Sequence, residues 1–139
     1  MDLQMQVRQE EMGMIVRSVE DVKGTDHEVD TPTWSSRRIL TKQDGVSFSV
    51  HDTMIKAGTE SYFWYKFHVE AVYCIEGEGE VEEKDTGKVH SIKPGTLYCL
   101  NGHEKHYLRA FTDMRMICVF DPPCSGKEVH DKDGIYQLG

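Results

Sequence analysis

From Arg37 onward the sequence is chopped into short runs rich in Val, Ile, Phe, Tyr and Thr, with turn residues at close intervals. Such punctuation is the pattern of an all-β chain. Strands are expected over 37–41, 48–55, 71–76, 80–84, 88–92, 96–100, 106–110 and 114–120. The breakers between and after them include Asp44-Gly45, Ala57-Gly58, Gly77 with Gly79, Pro94-Gly95, Asn101-Gly102 and Pro122-Pro123. Strands this short cannot stand alone, and closing eight or so into a jelly-roll β-barrel protects their edges. Ahead of them, Ser18 followed by Val19, Glu20 and Asp21 reads as an N-cap with acids in the first turn, so one short helix is expected there. The apolar pattern begins only at Met14, which makes residues 1–13 an extension and 14–139 a single domain. No internal repeat and no low-complexity stretch interrupts it.

The chain has 139 residues, 38% of them hydrophobic and 29% charged, with a formal net charge of −8. That length suits one core, and that balance suits a soluble globular protein. No apolar run approaches the roughly 18 residues that a membrane span needs. The 16 Lys and Arg residues are scattered, so no basic stripe exists to neutralise phosphates, and nucleic acid is not an expected partner. The four cysteines form no CxxC pair, and the polar first residues are not those of a signal peptide, so a reducing cytoplasm is expected. Cys74 and Cys118 lie in apolar runs and read as small hydrophobes. Cys99 and Cys124 carry no assignment.

Two blocks carry the chemistry. GTESYFWYKFHVEAVYCIEG, from Gly58 to Gly77, holds His68 and Glu70 two apart ahead of an apolar strand, and in a strand that spacing puts both on one face. KPGTLYCLNGHEKHY, from Lys93 to Tyr107, opens a strand with a Pro-Gly turn and brings Tyr98, His103 and His106. Consecutive hairpins then aim oxygen and nitrogen donors at one interior. A carboxyl inside a barrel is costly unless it has work to do, which singles out Glu70. By themselves Tyr98 reads as a core tyrosine with its hydroxyl at the rim, and His106 reads equally well as a satisfied strand histidine.

These blocks resemble the paired motifs of the cupin superfamily, and the fuller wording resembles the ectoine synthase family. The stretches EAVYCIEGEGE, KPGTLY, HYLRA, CVFDPP and EVHDKDG follow that family's pattern, as do TPTWSSRR and HDT. The likeness runs over roughly residues 14–138. It implies a cupin-type barrel and an enzyme, a carbon–oxygen lyase that closes a small-molecule substrate, N-γ-acetyl-2,4-diaminobutyrate, into a ring with loss of water. It implies ferrous iron held by Glu70, Tyr98 and His106. Hard oxygen donors with one imidazole suit a first-row metal.

The resemblance also places substrate contacts at Trp34, Arg38, Thr53, His68 and Phe120, and proton-transfer candidates at Tyr65, Glu128 and His130. Their plain readings differ: Arg38 is a surface charge, Trp34 is core, and Glu128 and His130 belong to a solvated tail. Pro122 and Pro123 end the last strand stiffly, so the residues after them can lie over the barrel mouth as a lid. Tyr62, Phe67, Asp121 and Cys124 depart from the usual family wording. Single-barrel cupins hide an exposed sheet by pairing, so a homodimer is expected. Two other readings share the barrel: a dioxygenase or isomerase cupin, which would consume oxygen or bind a sugar, and a non-catalytic cupin that binds a small metabolite.

Overall fold

Residues 13–136 are described by the computed structural model. The extension expected over 1–13 therefore lies outside the described residues, apart from Gly13. The capped helix forms where Ser18 announces it, as α1 (Val19–Val22), with the Ser18 and Asp21 side chains in a capping box. Ten strands follow: β1 (Glu28–Asp30), β2 (Trp34–Leu40), β3 (Ser49–Ile55), β4 (Glu60–Phe63), β5 (Val69–Glu76), β6 (Gly79–Glu83), β7 (Val89–Ile92), β8 (Leu97–Leu100), β9 (His106–Ala110) and β10 (Met114–Asp121). A 3₁₀ turn at Lys42–Asp44 joins β2 to β3. No helix among the described residues is long and apolar enough to cross a membrane.

Two antiparallel sheets face each other, one in the order β1-β2-β3-β10-β5-β8 and the other β4-β9-β6-β7. This is the jelly-roll barrel expected of so many short strands. The six-stranded sheet is built around β10, whose alternation Met114, Met116, Cys118, Phe120 points inward while Arg115, Ile117 and Val119 point away. Val72, Cys74, Leu100, Leu108, Val81 and Ile92 complete the buried apolar layer between the sheets. Each such side chain contributes about 1.5–3 kcal/mol when fully buried.

The turns are fixed by close approach. Gly77 has φ +87°, and a Cβ there would meet the Asp113 carbonyl oxygen at 2.1 Å, so the β5–β6 and β9–β10 turns cross only because residue 77 has no side chain. On the outer face of the smaller sheet Arg109 ties three strands together through Glu60, Glu80 and Glu82.

The first and fourth strands were not among the segments expected from sequence. Glu28–Asp30 is short and polar, and it exists because it pairs with Ser35–Arg37. Glu60–Phe63 pairs with His106–Arg109, and nothing in its own four residues separates it from the loop that follows.

Candidate active site

Strand register builds the inner wall in rows. Arg38 lies opposite His51, His51 opposite Cys118, Cys118 opposite Val72 and Val72 opposite Tyr98, a single row across five strands. The next row runs Ser49, Phe120, Glu70, Leu100. Glu70 and Tyr98 are therefore diagonal neighbours on one face of β5 and β8, within reach of each other's long side chains. Both line a narrow cavity of about 30 Å³ together with Trp34, Thr53, Tyr65 and Phe120. That volume holds a water or two.

Glu70 is buried, and burial pushes its carboxyl up to about 8; the Cys118 thiol is its hydrogen-bond neighbour and pulls the other way. Burial, then the Glu70 charge, holds the Tyr98 phenol well above its ordinary value. His106 reaches the same wall from β9, its ring 6.4 Å from that of Tyr98. Its Nδ1 is 2.9 Å from the Glu104 carbonyl oxygen and donates to it, which leaves the lone pair on Nε2. That Nε2 is buried and has no partner among the described residues, and burial lowers the imidazole to about 4.

Among the described residues no three His, Cys, Asp or Glu side chains converge as a metal cluster. The set around Tyr98 is mixed instead: one carboxyl, one phenol and one imidazole. A buried carboxyl with no cationic neighbour and an imidazole nitrogen with no donor are what a divalent cation would satisfy, and the donor types fit iron.

The other half of the site comes from the chain after β10. Residues 122–136 form no strand or helix, yet they bridge the two sheets. Cys124 N–H donates to Ser49 Oγ and Lys42 N–H to the Cys124 carbonyl; at the far end Trp64 N–H donates to the Gly134 carbonyl beside β4. His130 is wedged between them, stacked on Tyr136 at 4.1 Å and against Phe63 at 4.4 Å. Trp34 meets its edge at 5.5 Å. Its Nε2 lies 2.8 Å from the Tyr65 hydroxyl. Burial and the nearby Arg38 charge lower His130 to about 3, and burial raises the Tyr65 phenol well above its usual range. The pair is thus a neutral imidazole facing a protonated phenol.

Arg38 is not a surface charge: it is fully buried, and its fork holds this segment down. Nη1 donates to the Gly126 carbonyl, Nη2 to the Glu128 carbonyl and the Tyr136 hydroxyl, and Nε to Ser36 Oγ. Glu128 is engaged locally as well, its two oxygens accepting the Ser125 and Gly126 amides at 2.6 and 2.9 Å. Burial pulls its carboxyl up, but the amides outweigh burial and leave it below the ordinary range. In this closed arrangement both of its oxygens anchor the turn over residues 125–128.

Thr53 donates to Ser36 Oγ. His68 packs edge-on against Phe120 and Tyr136, and its Nδ1 has no partner among the described residues. His103, in the left-handed region with φ 57°, holds the loop before β5 by pointing Nδ1 at the Tyr65 and His68 carbonyls.

Three inward residues escaped the sequence reading. His51, fully buried on Ser49 Oγ with burial holding it well below its ordinary value, was signalled by the alternation Ser49, His51, Thr53 within one strand. Cys118, read as a plain hydrophobe, touches Glu70. Tyr136 follows an irregular stretch, and no local pattern marks it.

The family model described as ectoine synthase matches residues 14–139. An L-ectoine synthase of Oceanobacillus iheyensis is 63% identical over 125 residues, covering 90% of this chain and 98% of that protein. One from Halalkalibacterium halodurans is 59% identical over 125 residues, covering 90% and 97%. The crystal structure of ectoine synthase from P. lautus superposes with a TM-score of 0.81 at 59% identity, covering 87% of each chain. A Cupin_2 domain of an XRE family transcriptional regulator from Enterobacter cloacae, 16% identical over 66% of this chain and 98% of its own, shares the fold with a TM-score of 0.55.

Proposed function

The chain belongs to the ectoine synthase family of lyases, and on that footing we propose that it closes N-γ-acetyl-L-2,4-diaminobutyrate to ectoine with ferrous iron held by Glu70, Tyr98 and His106. The observation that carries the metal reading is the buried Glu70 carboxyl beside Tyr98, with the lone pair of His106 Nε2 unclaimed nearby. Iron bound there would supply Lewis acidity to the substrate's amide oxygen, the weak electrophile of the reaction.

The remaining work falls to the chain's own groups. Trp34, Thr53, His68 and Phe120 shape the inner wall and fold the substrate so that its free amine meets the amide carbon. Arg38 faces the substrate carboxylate from the tail side, where its guanidinium is already oriented by Ser36 and Tyr136. Tyr65 Oη and His130 Nε2, 2.8 Å apart, form a path on which a proton leaves the attacking amine and returns to the departing oxygen. The closed tail excludes bulk water, which would otherwise drive the condensation backward. A cavity of about 30 Å³ admits no diamino acid, so residues 122–136 must lift for entry.

We assign the protein to the cytoplasm, a reading supported by its four cysteines forming no disulfide. A second copy of the chain is the partner assigned to the outer face of the six-stranded sheet. There Tyr73 and Leu97 are 44% and 59% exposed, beside an Asp52 already buried under Arg37 and Arg115. Anaerobic reconstitution with Fe²⁺, followed by NMR detection of ring formation from the acetylated diamine, tests the activity. Turnover that is unchanged by chelation would refute the iron assignment, and oxygen uptake would favour a dioxygenase.

A further inference from the structure

The tail-side mouth is an unfavourable entrance for a cation. It is plugged by the aromatic stack of His130, Tyr136, Phe63 and Trp34, and behind the plug lies the permanent charge of Arg38, fully buried. On the opposite flank, at the open edge between β7 and β8, the two sheets part around a cleft of about 180 Å³. Tyr98 belongs to both this cleft and the inner cavity, so the two spaces meet at a residue of the iron site.

The lining of this cleft differs in charge from the mouth. Glu83 lies directly opposite His106 in the β6–β9 register, and His90 is opposite Val81 one step along β7. Glu83 Oε2 and His90 Nε2 are 2.7 Å apart, half-buried at the cleft's rim. Glu104 lines the cleft as well. Lys84 and Lys105, next in sequence to these residues, are turned elsewhere, over the rings of Tyr62 and Trp64. At the cleft's inner end His106, 1% exposed, has no partner on Nε2 among the described residues. A hydrogen-bonded pair that merely braced two strands would serve as well on the outer face, where Arg109 does that work; this one borders an empty space that leads to an unclaimed imidazole lone pair.

We propose that this cleft is the route by which a divalent cation reaches Glu70, Tyr98 and His106, with Glu83 and His90 as its capture pair and Glu104 adding negative charge at the entrance. The proposal rests on the reading of the iron centre given above. Cation and substrate then enter from opposite flanks, each towards charge of the opposite sign, and neither has to pass the other. Carboxylates at a funnel of this kind raise the encounter rate without adding to the final affinity.

Uptake of Co²⁺ by the chelator-stripped full-length protein, followed by stopped-flow visible absorption, separates route from ligand. In Glu83→Gln and in the Glu83→Gln, His90→Gln pair, association and release should both slow by about 10-fold, with stoichiometry and affinity unchanged. The ionic-strength dependence of loading should weaken with them. Turnover of the fully loaded variants should match the unaltered protein, because neither residue touches substrate. Loading at the unaltered rate would overturn the proposal, and so would a loss of equilibrium affinity without slower exchange, which would make the pair ordinary ligands. Equal cobalt uptake by the unaltered protein and by Glu70→Ala would instead show that the centre itself is misassigned, and the route would fall with it.

Discussion

The inner face of the six-stranded sheet and the segment after β10 contribute to the same cavity by different physical means. On the sheet, every position is fixed by register: Glu70, Tyr98, Cys118 and His51 lie where the ladder puts them, two residues or one strand apart. The tail has no ladder. It is held by side chains that reach it, chiefly Arg38 on one sheet and Tyr65 on the other side of His130. On the proposed reading, the centre would be rigid where it grips a cation and detachable where a substrate must come and go.

Removing a sheet-borne donor should be the most damaging change. Glu70→Ala is expected to fold, to lose bound iron by metal analysis, and to lose on the order of 10³-fold in turnover, as the loss of several kcal/mol of Lewis-acid assistance requires. Retained iron would break the contrast, since the rigid half would then not be the half that grips. Tyr65→Phe removes the hydroxyl facing His130 while keeping the ring; about 100-fold lower kcat with normal iron content is the expected outcome. Unchanged kcat would remove Tyr65 and His130 from the proton path.

Arg38→Lys keeps the charge but loses the planar fork. Faster amide hydrogen exchange confined to residues 122–136 should accompany a kcat/KM about 10-fold lower, against an unaltered sheet. Exchange that accelerates throughout would mean that the tail is part of the core.

The pH dependence sharpens the comparison further. Glu70 is raised from the ordinary 4.5 to about 8 in the folded chain, so folding favours its protonated form, and the metal-free protein should lose stability as pH rises from about 4.5 to about 8. Only the unfolded chain is then fully ionised without cost, and the slope should approach 1.4 kcal/mol per pH unit at most. Saturating divalent cation should abolish that slope in calorimetric melts. The half-buried His130 and the buried His106, lowered to about 3 and about 4, act oppositely: their contribution is complete above pH 6.5 and is lost as pH falls towards those values. The smallest effect is expected at Gly134, with φ +79° and Tyr62 within 3 Å of any Cβ. Gly134→Ala should cost about 1 kcal/mol, loosening the tail and leaving iron affinity unchanged.

The two regions were also unequally legible in the sequence. Period-2 alternation and closely spaced turns place β8, β9 and β10 nearly to the residue and β5 to within two residues, with Glu70 just ahead of the expected 71–76; Glu70, Tyr98 and His106 are joined as one set only by the family resemblance. Local pattern carries the strands because a strand's two faces are fixed by its own sequence. Arg38 shows where it stops. Two adjacent arginines, 37 and 38, begin as equals, and only pairing with β3 sends one to Asp52 on the outer face and the other inside. Glu128, His130 and Tyr136 have no period at all; the Arg38 and Tyr65 side chains and one local turn position them, so the family motif singled out the first two while the chain's own pattern passed over the third.

Five N–H groups are available on a guanidinium, and Arg38 has four acceptors around it in the closed protein. A carboxylate that wants two parallel bonds from that fork finds at most one hydrogen idle. Its arrival must therefore displace a tail carbonyl or the Tyr136 hydroxyl. If Arg38 takes the substrate carboxylate as proposed, ligand occupancy and strap attachment are rivals for one cation, and each turnover would carry an exchange of partners at residue 38.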